Sequence, residues 1–445
     1  MATTYLNRTP SSEGNRKTWT FSTWFKISNI TDGAIFTAGA SGQDEMTIRL
    51  EESSGNFNID WQLYKVSNST TIGRLITNRQ FRDPSAWYHL VCRYDSTNST
   101  AGDRMRIYIN GVEETSFSTD TNPTLNYDAM VNNTVIHNIG RQSWNNSGYF
   151  DGYLSQTILA DGQSYAPTVF GSTNANGVWI PNTSPSVTYG TNGFKIDYAG
   201  TGTSADSSGF GADSSGQTNH YASNNLGTNP NTKDTPHNLF CTLNIVDSES
   251  VDLSKGGCDF DSAGGSADGV RATMGVLAGK WYYECKITGS AGLSAGNIGY
   301  SQSTMKLNAN PRGGQCMVIN GSSAVNFYNF SSNAVVLDAN SGIGQNDIVG
   351  VALNLTDNQI TFYKNGAQIG STQSIASGLL QGDFFIPCVF DDGGVNDVVG
   401  SFNFGNPTFS LSNTPESDAN GYGSFEYAVP SGYYALCTKN LAQYG

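Results

Sequence analysis

Charged side chains are scarce in this chain of 445 residues: they make up 13% of it, about half the share of an average soluble protein. Lys and Arg together number 23 and Asp and Glu 37, which gives a formal net charge of −14 and a pI near 4.6. Because so acidic a chain does not attract a phosphate backbone, we expect no nucleic-acid partner. The polar surface must come from Asn, Ser, Thr and Gly, which rarely build long exposed helices. This composition favours an all-β protein.

Long apolar runs and paired cysteine motifs are also missing. No run approaches the roughly 20 residues that span a bilayer, so membrane insertion is not expected. The first residues lack the basic and apolar regions of a signal peptide, so no secretion signal is predicted. The seven cysteines form no CxxC pair, and Cys92, Cys285 and Cys388 lie in apolar, strand-like runs. This pattern predicts reduced core thiols rather than a disulfide scaffold.

Alternating apolar segments and tight-turn signals are abundant instead. Residues 18–27, TWTFSTWFKI, alternate as a half-buried strand does. The dipeptides at 110–111 and 365–366 are both Asn-Gly and predict type I′ hairpins, because both central positions of that turn need a positive φ. Short strands between turns predict two tandem antiparallel β-sandwiches, or jelly rolls. Large aromatic residues in these strands are assigned to the cores: Trp19, Phe21, Trp87 and Trp281.

The pattern divides the chain into three segments, with the strand-like runs in residues 1–165 and 246–445. Residues 166–245 are dominated by Gly, Ser, Thr, Asn and Asp and contain the sequence ADSSG twice. We predict that this segment is an ordered bridge that lies over a neighbouring domain. Apolar anchors are spaced along it: Trp179, Phe194, Ile196, Tyr198 and Phe240. The aromatic C-terminal stretch is expected to add a strand or to pack on a partner.

Several longer motifs carry a resemblance to known families. The first segment contains WTFSTWFKI, WYHLVCRYDST and RMRIYINGVEE, and it resembles a concanavalin A-like, laminin-G-like lectin domain. The last segment contains GKWYYECKIT, NIGYS and DIVGVALNLTDNQITFYKNG, and it resembles a SPRY domain. The connecting NGFKIDYAG and DTPHNLFCTLN are similar to the bridge between such domains in virion proteins of marine tailed bacteriophages.

This resemblance implies a non-catalytic protein of the virion surface, made in the host cytoplasm. The expected role is a tail-fibre or receptor-binding adhesin that recognises host surface glycan. The alternatives are a capsid decoration or head-fibre protein and a polysaccharide depolymerase. Other virion proteins and a host glycan would be its partners. The chain would form a homo-oligomer, with a trimer favoured for a fibre tip.

Each catalytic motif in the chain lacks a residue or an element that its chemistry requires. Residues 292–296 match the GxSxG nucleophile elbow, but that triad needs a later histidine, and His237 is the last one. Residues 200–205 match a dinucleotide fingerprint, but the ADSSG turns that follow cannot form the helix that binds a pyrophosphate. Glucanases share the fold of the lectin-like domain, yet no Glu-x-Asp-x-x-Glu strand occurs to supply paired carboxylates. We therefore expect no enzymatic activity.

Aromatic rings beside amides or carboxylates are typical of sugar sites. A flat ring packs on the apolar face of a pyranose, while the polar groups bond its hydroxyls. Residues of this kind predict glycan contacts, with core packing as the alternative for each: Trp61, Tyr64, Trp144, Asn145, Tyr149, Tyr328 and Asp391.

No cofactor is required by this interpretation, and the presence of a metal stays open. Ca²⁺ takes six to eight oxygen ligands from carboxylates and carbonyls on loops. Residues 258–264, the two ADSSG turns and the pair Asp391-Asp392 could supply them. The alternative is that Asp and Gly serve there as turn residues.

Overall fold

The computed structural model describes residues 3–28, 30–53, 56–145, 147–227, 230–262, 267–294, 296–393 and 397–445. The chain divides into two units, residues 1–231 and 232–445. Each unit is built almost wholly from antiparallel sheets, so the predicted all-β class is confirmed. Within these described ranges, no helix is long and apolar enough to cross a membrane.

The first unit contains sixteen strands among its described residues. In chain order they are β1 (Tyr5–Arg8), β2 (Thr18–Ile27), β3 (Gly33–Ala38), β4 (Glu45–Ser53), β5 (Asn56–Lys65), β6 (Thr70–Thr77), β7 (Tyr88–Asp95), β8 (Met105–Ile109), β9 (Val112–Glu113), β10 (Phe117–Thr121), β11 (His137–Ile139), β12 (Gly152–Asp161), β13 (Gly171–Thr173), β14 (Trp179–Pro181), β15 (Phe194–Ile196) and β16 (Ala222–Asn224). Short 3₁₀ turns lie at Val66–Asn68, Ala101–Asp103 and Pro167–Val169.

Two large sheets of the first unit enclose its core. The eight-stranded sheet has the order β10-β6-β5-β4-β3-β11-β1-β16, and the six-stranded sheet has the order β15-β12-β2-β7-β8-β9. Alternate residues of β2 and β5 meet between the sheets, because side chains of a strand alternate between its two faces. Trp19 and Phe21 are fully buried there, as predicted, and Trp19 stacks on Tyr94 at 5.1 Å. Trp87 lies just before β7 and is only half-buried, so its assignment to the core is corrected.

The six-stranded sheet is also covered on the face away from this core. Phe170 packs against Val91 of β7 in a separate apolar cluster. The indole Nε1 of Trp179 donates a hydrogen bond to Nδ1 of the buried His89 at 3.0 Å. The β13–β14 hairpin is thereby fixed to a sheet of its own unit.

The predicted bridge does not form a separate segment. β15 pairs with β12 and β16 pairs with β1, so residues 166–231 complete the two sheets of the first unit. Phe194 and Ile196 are buried in its core. The boundary lies at 231/232, and residues 232–245 belong to the second unit. Short isolated strands are marginally stable in water, and pairing with β12 and β1 makes β15 and β16 part of larger sheets.

The second unit contains sixteen more strands among its described residues. They are β17 (Leu243–Glu249), β18 (Val251–Ser254), β19 (Asp259–Ser262), β20 (Gly269–Ala272), β21 (Lys280–Ile287), β22 (Gly296–Gln302), β23 (Cys316–Asn320), β24 (Val325–Asn329), β25 (Val335–Asp338), β26 (Ile348–Asn354), β27 (Gln359–Lys364), β28 (Ala367–Gln368), β29 (Gln373–Ser374), β30 (Phe385–Asp391), β31 (Val399–Asn403) and β32 (Tyr434–Ala435). A 3₁₀ turn lies at Ser377–Leu379, and helix α1 (Thr438–Tyr444) ends the chain.

Two sheets again enclose the core of the second unit. The seven-stranded sheet has the order β17-β20-β30-β22-β23-β24-β25. The other sheet has the order β18-β19-β31-β21-β26-β27-β28, with β29 beside β27 and β32 beside β21. Trp281 and Tyr283 of β21 are fully buried between the sheets, as was predicted for Trp281.

The C-terminal stretch covers the outer face of this second sheet, and β32 is the strand that the stretch was expected to add. Phe425 packs on Tyr282 with ring centroids 5.4 Å apart. The main-chain nitrogen of Thr438 donates a hydrogen bond to the carbonyl of Leu239 at 2.9 Å, so the last helix lies beside the first residues of the unit.

The local predictions from turns and cysteines are confirmed. Asn110 and Gly111 have φ values of 49° and 79°, and Asn365 and Gly366 have 50° and 80°, as a type I′ turn requires. All seven cysteines lie within the described residues, all are buried, and none forms a disulfide.

Candidate binding face on the first unit

The outward face of β4, β5 and β6 is unusually polar for the middle of a sheet. Met46, Ile48 and Leu50 of β4 face the core, so the residues between them face outward. The same alternation turns the even-numbered residues of β5 outward, and Arg74 of β6, which precedes the core residue Leu75, faces outward with them. We call this surface the β4–β6 face and define it by five side chains: Arg49, Glu51, Asp60, Tyr64 and Arg74.

A charged network occupies the centre of the β4–β6 face. Asp60 has no exposed side-chain surface and lies between the two arginines. Nε of Arg49 donates to Oδ2 of Asp60 at 3.0 Å, and Nε and Nη2 of Arg74 donate to its two oxygens at 2.9 Å. Glu51 accepts from Nη2 of Arg49 at 2.8 Å and from Nη2 of Arg74 at 3.2 Å. Bidentate pairs of this kind fix the planes of both guanidinium groups.

The network leaves one nitrogen of each guanidinium group without a hydrogen-bond partner among the described residues. Nε and Nη2 of both arginines are engaged, whereas their Nη1 groups have no hydrogen-bond partner among the described residues. The side chain of Arg74 is 26% exposed. Two arginines, one aspartate and one glutamate carry no net charge together. The face therefore offers fixed N–H donors without an excess of either sign.

Two further side chains border the network along β4 and β5. Glu45 lies opposite Tyr64 in the strand register. Burial raises the pKa of Glu45 to about 7, although Arg49 opposes the shift, and Oε2 of Glu45 has no hydrogen-bond partner within the described residues. Burial also raises the pKa of Glu51. Near neutral pH the Glu45 carboxyl can donate or accept a hydrogen bond, and the half-buried Tyr64 ring supplies an apolar surface beside it.

The loop between β11 and β12 lies over the neighbouring part of the same sheet face. The Oγ1 of Thr37, which faces outward from β3, donates to the carbonyl of Arg141 at 3.0 Å. The amide of Asn138 donates to Oγ of Ser143 at 3.2 Å. These bonds hold the loop that carries three predicted glycan contacts, which are the half-buried Trp144, the exposed Asn145 and the half-buried Tyr149.

An aromatic and cationic stack anchors the end of this loop. The guanidinium of Arg141 lies 3.8 Å from the ring centroid of Tyr5, and the rings of Tyr5 and Tyr149 are 6.1 Å apart. The structure thus brings Trp144, Asn145 and Tyr149 together on one loop, and it places Tyr64 on the same sheet.

The predicted glycan contact at Trp61 is corrected. Its side chain is fully buried in the core and packs edge-on against Trp19 at 5.6 Å. Trp61 and Tyr64 are three positions apart on one strand, and an odd separation places two side chains on opposite faces. Only Tyr64 can therefore contribute to the β4–β6 face.

The two predicted contacts in the second unit do not form a surface site either. Tyr328 is mostly buried, and the guanidinium of Arg312 covers its ring at 5.1 Å. Asp391 is 1% exposed and accepts hydrogen bonds from Ser262 Oγ at 2.7 Å and from the nitrogen of Gly393 at 2.9 Å. Tyr328 and Asp391 lie on opposite faces of the seven-stranded sheet, so no single ligand can contact both from solvent.

The predicted calcium loops use their carboxylates mainly in local contacts. In the ADSSG repeats, Asp206 accepts from the nitrogen of Ser208 and Asp213 accepts from that of Ser215, both at 2.8 Å, which are turn contacts. In 258–264, Asp259 pairs with Lys255 at 2.7 Å, and residues 263 and 264 lie outside the described part of the chain. Among the described residues, no three His, Cys, Asp or Glu side chains converge in the manner of a metal site.

Sequence reasoning missed the charged residues at the centre of the face. Their signal was present: Arg49, Asp60 and Arg74 stand at strand positions that alternate with apolar core residues. A charge at such a position is usually a solvated side chain. Only the register of β4 with β5 and of β5 with β6 brings these three together.

Both domain resemblances have support from family comparisons. Residues 2–163 match the laminin G model of the concanavalin A-like lectin/glucanases superfamily, and residues 280–407 match the SPRY domain model. The chain contains a lectin-like domain and a SPRY domain. No curated protein matches the chain.

Solved structures are similar to parts of the chain at low identity. The SPRY domain of human HERC1 is 16% identical, covers 36% of this chain and 96% of its own, and has a TM-score of 0.30. A heptameric SAP-like pentraxin from Limulus polyphemus is 18% identical over 42% of this chain and 88% of its own, with a TM-score of 0.28. Domains LG4-5 of the mouse laminin alpha1 chain are 8% identical over 90% of this chain and 84% of their own, with a TM-score of 0.29.

Proposed function

We propose that this protein is a non-catalytic glycan-binding protein and that the β4–β6 face, with the adjoining loop at Trp144, contacts the sugar. The observation that carries the proposal is the buried Asp60, which holds two partly exposed arginines whose Nη1 groups have no hydrogen-bond partner among the described residues. Fixed donors and aromatic rings on the same sheet suit a ligand whose surface alternates between hydroxyls and apolar C–H groups. The lectin-like domain agrees with such a ligand.

The charge of the face favours a neutral glycan. The two arginines are balanced by Asp60 and Glu51, and the whole chain carries a net charge of −14. A sulfated or uronic polymer would meet repulsion from the chain and no local surplus of positive charge. Binding should therefore change little with ionic strength, unlike binding that depends on ion pairs.

Binding is favoured over hydrolysis by the position of Asp60. A glycosidase needs two carboxyl groups that reach the scissile bond from opposite sides. Asp60 is fully buried and engaged by both arginines, so it cannot attack an anomeric carbon. Of the two carboxylates in the network, only Glu51 is left near the surface, and it is bound to both arginines as well.

In the finer form of this proposal, the protein is displayed on a phage virion as a tail-fibre or receptor-binding adhesin. The resemblance of its linked lectin-like and SPRY domains to marine phage proteins motivates this role. A capsid decoration is the second candidate. In either position, repetition on a symmetric particle would turn weak single-site affinity into avidity.

The decisive experiment compares Arg74→Ala with Arg106→Ala in binding to a panel of immobilised neutral glycans. Arg106 is a matched control because it also pairs with two acids, Asp103 and Glu113, on the other sheet. We expect at least a tenfold loss of binding in Arg74→Ala and none in Arg106→Ala. Equal binding by both variants, both folded by circular dichroism, would overturn the proposed face. Release of reducing sugar by the wild-type protein would overturn the non-catalytic role.

The position of the protein on the virion needs a separate measurement, because a glycan-binding assay gives the same result for a tail protein and for a head protein. Antibody labelling of intact virions should mark tail tips if the protein is an adhesin and heads if it is a decoration. Sedimentation of the purified chain tests the expected trimer.

A further inference from the structure

Two aspartates face each other at one rim of the second unit. Asp268 precedes β20 and Asp391 ends β30, and their main chains form a reciprocal pair: Asp391 N donates to Asp268 O at 2.8 Å, and Asp268 N donates to Asp391 O at 3.3 Å. Side chains directly opposite in such a pair project to the same face, with Cβ atoms roughly 5 Å apart. Val270 and Val389, two residues further along, are core residues, so both carboxylates point between the two sheets.

Neither carboxylate reaches solvent freely. Asp268 is 2% exposed and Asp391 is 1% exposed. Oδ2 of Asp268 is buried and has no hydrogen-bond partner among the described residues. Asp391 is held from the opposite sheet by Ser262, whose Oγ donates to it at 2.7 Å and accepts from the nitrogen of Val398 at 2.8 Å. One carboxylate is thus fixed in place while its neighbour is left with a bare oxygen.

Other acidic groups among the described residues lie near Asp268. Burial raises the pKa of Asp268, and Asp391 and Glu249 raise it further by charge repulsion. Asp392 follows in sequence and pairs with Arg312. Like charges that lie opposite each other in a sheet are destabilising. A buried anionic oxygen without a partner adds to this cost.

We propose that Asp268 and Asp391 bind a hard divalent cation, with Ca²⁺ as the preferred ion, at the rim between the sheets of the second unit. The proposal accounts for the bare Oδ2, because a cation supplies the missing partner and removes the repulsion between the two carboxylates. Oxygen-only donors select Ca²⁺ or Mg²⁺ over zinc or copper, which prefer nitrogen and sulfur.

The ligand set limits the affinity. The pair supplies two carboxylates rather than three acidic side chains, in agreement with the lack of a three-residue metal group among the described residues. Water and main-chain oxygens would complete the coordination, as is common for both ions. Binding is therefore expected to be weak, with the ion exchanging readily with solvent. This site is distinct from the β4–β6 face and does not depend on the proposed glycan.

The test is thermal unfolding of the full chain with EGTA and with a series of CaCl₂ concentrations, for the wild type, Asp268→Asn and Asp252→Asn. Asp252 is the matched control because it is an exposed aspartate on β18 that lies opposite Asp261 on β19. We expect Ca²⁺ at about ten times its Kd to raise the Tm of the wild type and of Asp252→Asn by roughly 3–6 °C. The Tm of Asp268→Asn should not respond.

The Tm of Asp268→Asn in EGTA distinguishes a bound cation from a proton shared by the two carboxylates. Asp268→Asn removes the repulsion, so in EGTA its Tm should equal or exceed that of the wild type. If the pair instead shares a proton, the Tm of the wild type will depend on pH and not on Ca²⁺, and the proposal is overturned. A calcium response of the same size in Asp268→Asn overturns it as well, because the ion then binds elsewhere. MgCl₂ in place of CaCl₂ tests the preference between the two ions, and a larger shift with Mg²⁺ overturns that part.

Discussion

The Oε2 atom of Glu284 accepts a hydrogen bond from the main-chain nitrogen of Glu426 at 2.9 Å. Glu284 lies on β21 and is fully buried beneath the C-terminal stretch. Tyr427 N donates to its other oxygen at 2.9 Å, and the amide of Asn403 donates to Oε2 at 3.0 Å. A single carboxyl group therefore joins the sheet to the segment that covers it, and burial raises its pKa to about 7.

We expect Glu284 to make the second unit less stable as the pH rises. The native state keeps a proton that the unfolded chain, with an ordinary pKa of 4.5, has released. The stabilisation is complete below pH 4.5 and is lost as the pH rises through about 7. Its size is on the order of 3 kcal/mol. Urea unfolding across this range should show a smaller pH dependence for Glu284→Gln. Glu426→Gln is the control that should keep the dependence of the wild type.

Replacement of Asp60 by Asn should disrupt the β4–β6 face from its centre. After this change, Glu51 is the only carboxylate of the network that still pairs with the two guanidinium groups. The free energy of unfolding should fall by about 2–4 kcal/mol. Glycan binding should fall with it. Asp103→Asn removes a half-buried partner of Arg106 and should lower the free energy of unfolding by less than about 1 kcal/mol. Chemical unfolding of both variants measures the difference, and equal costs would contradict the central role of Asp60.

Two tryptophans with different surroundings give a second matched pair. Trp179→Phe removes the donor to the buried, neutral His89, whose pKa burial lowers to about 3, and should cost about 1–3 kcal/mol. Trp144→Phe alters a half-buried loop side chain and should change stability by less than about 0.5 kcal/mol while it weakens glycan binding. Limited proteolysis should cut residues 171–181 faster only in Trp179→Phe. If Trp144→Phe were less stable than Trp179→Phe, the bond from Trp179 to His89 would not have the stabilising role assigned to it.

Gly366 lies in a hairpin turn and also against the ring of Tyr427. Its φ of +80° disfavours alanine, and a Cβ there would lie 2.6 Å from Cδ1 of Tyr427. Gly382 has a similar φ of +89° but open space around it. Gly382→Ala should therefore lower the free energy of unfolding by about 1 kcal/mol, from backbone strain alone. Gly366→Ala should lower it by more, because the contact with Tyr427 adds to the strain. Thermal unfolding of the two variants isolates the contact, and indistinguishable values would mean that the Tyr427 ring moves away freely.

Period-two alternation predicted much of the fold because it reports a local property of each strand. It placed Trp19 and Phe21 in a core, and the Asn-Gly pairs fixed two hairpins from backbone conformation alone. The same alternation, applied to Trp61 and Tyr64 together, would have shown that they cannot share a face.

The remaining features depend on contacts distant in sequence. Arg49 and Arg74 meet at Asp60 only through the strand register, and the polar segment before residue 231 acquires strands only from β12 and β1. Asp268 and Asp391 are more than a hundred positions apart along the chain. Nothing in the residues around either one signals the other.

The bond between Leu239 and Thr438 means that residues near the two ends of the SPRY-containing unit, 232–445, lie side by side. A module with adjacent entry and exit can be inserted into a loop of another protein, or have its ends joined and new ends opened elsewhere, with little disturbance to its interior. The SPRY-containing unit is accordingly suited to insertion into another protein as a domain.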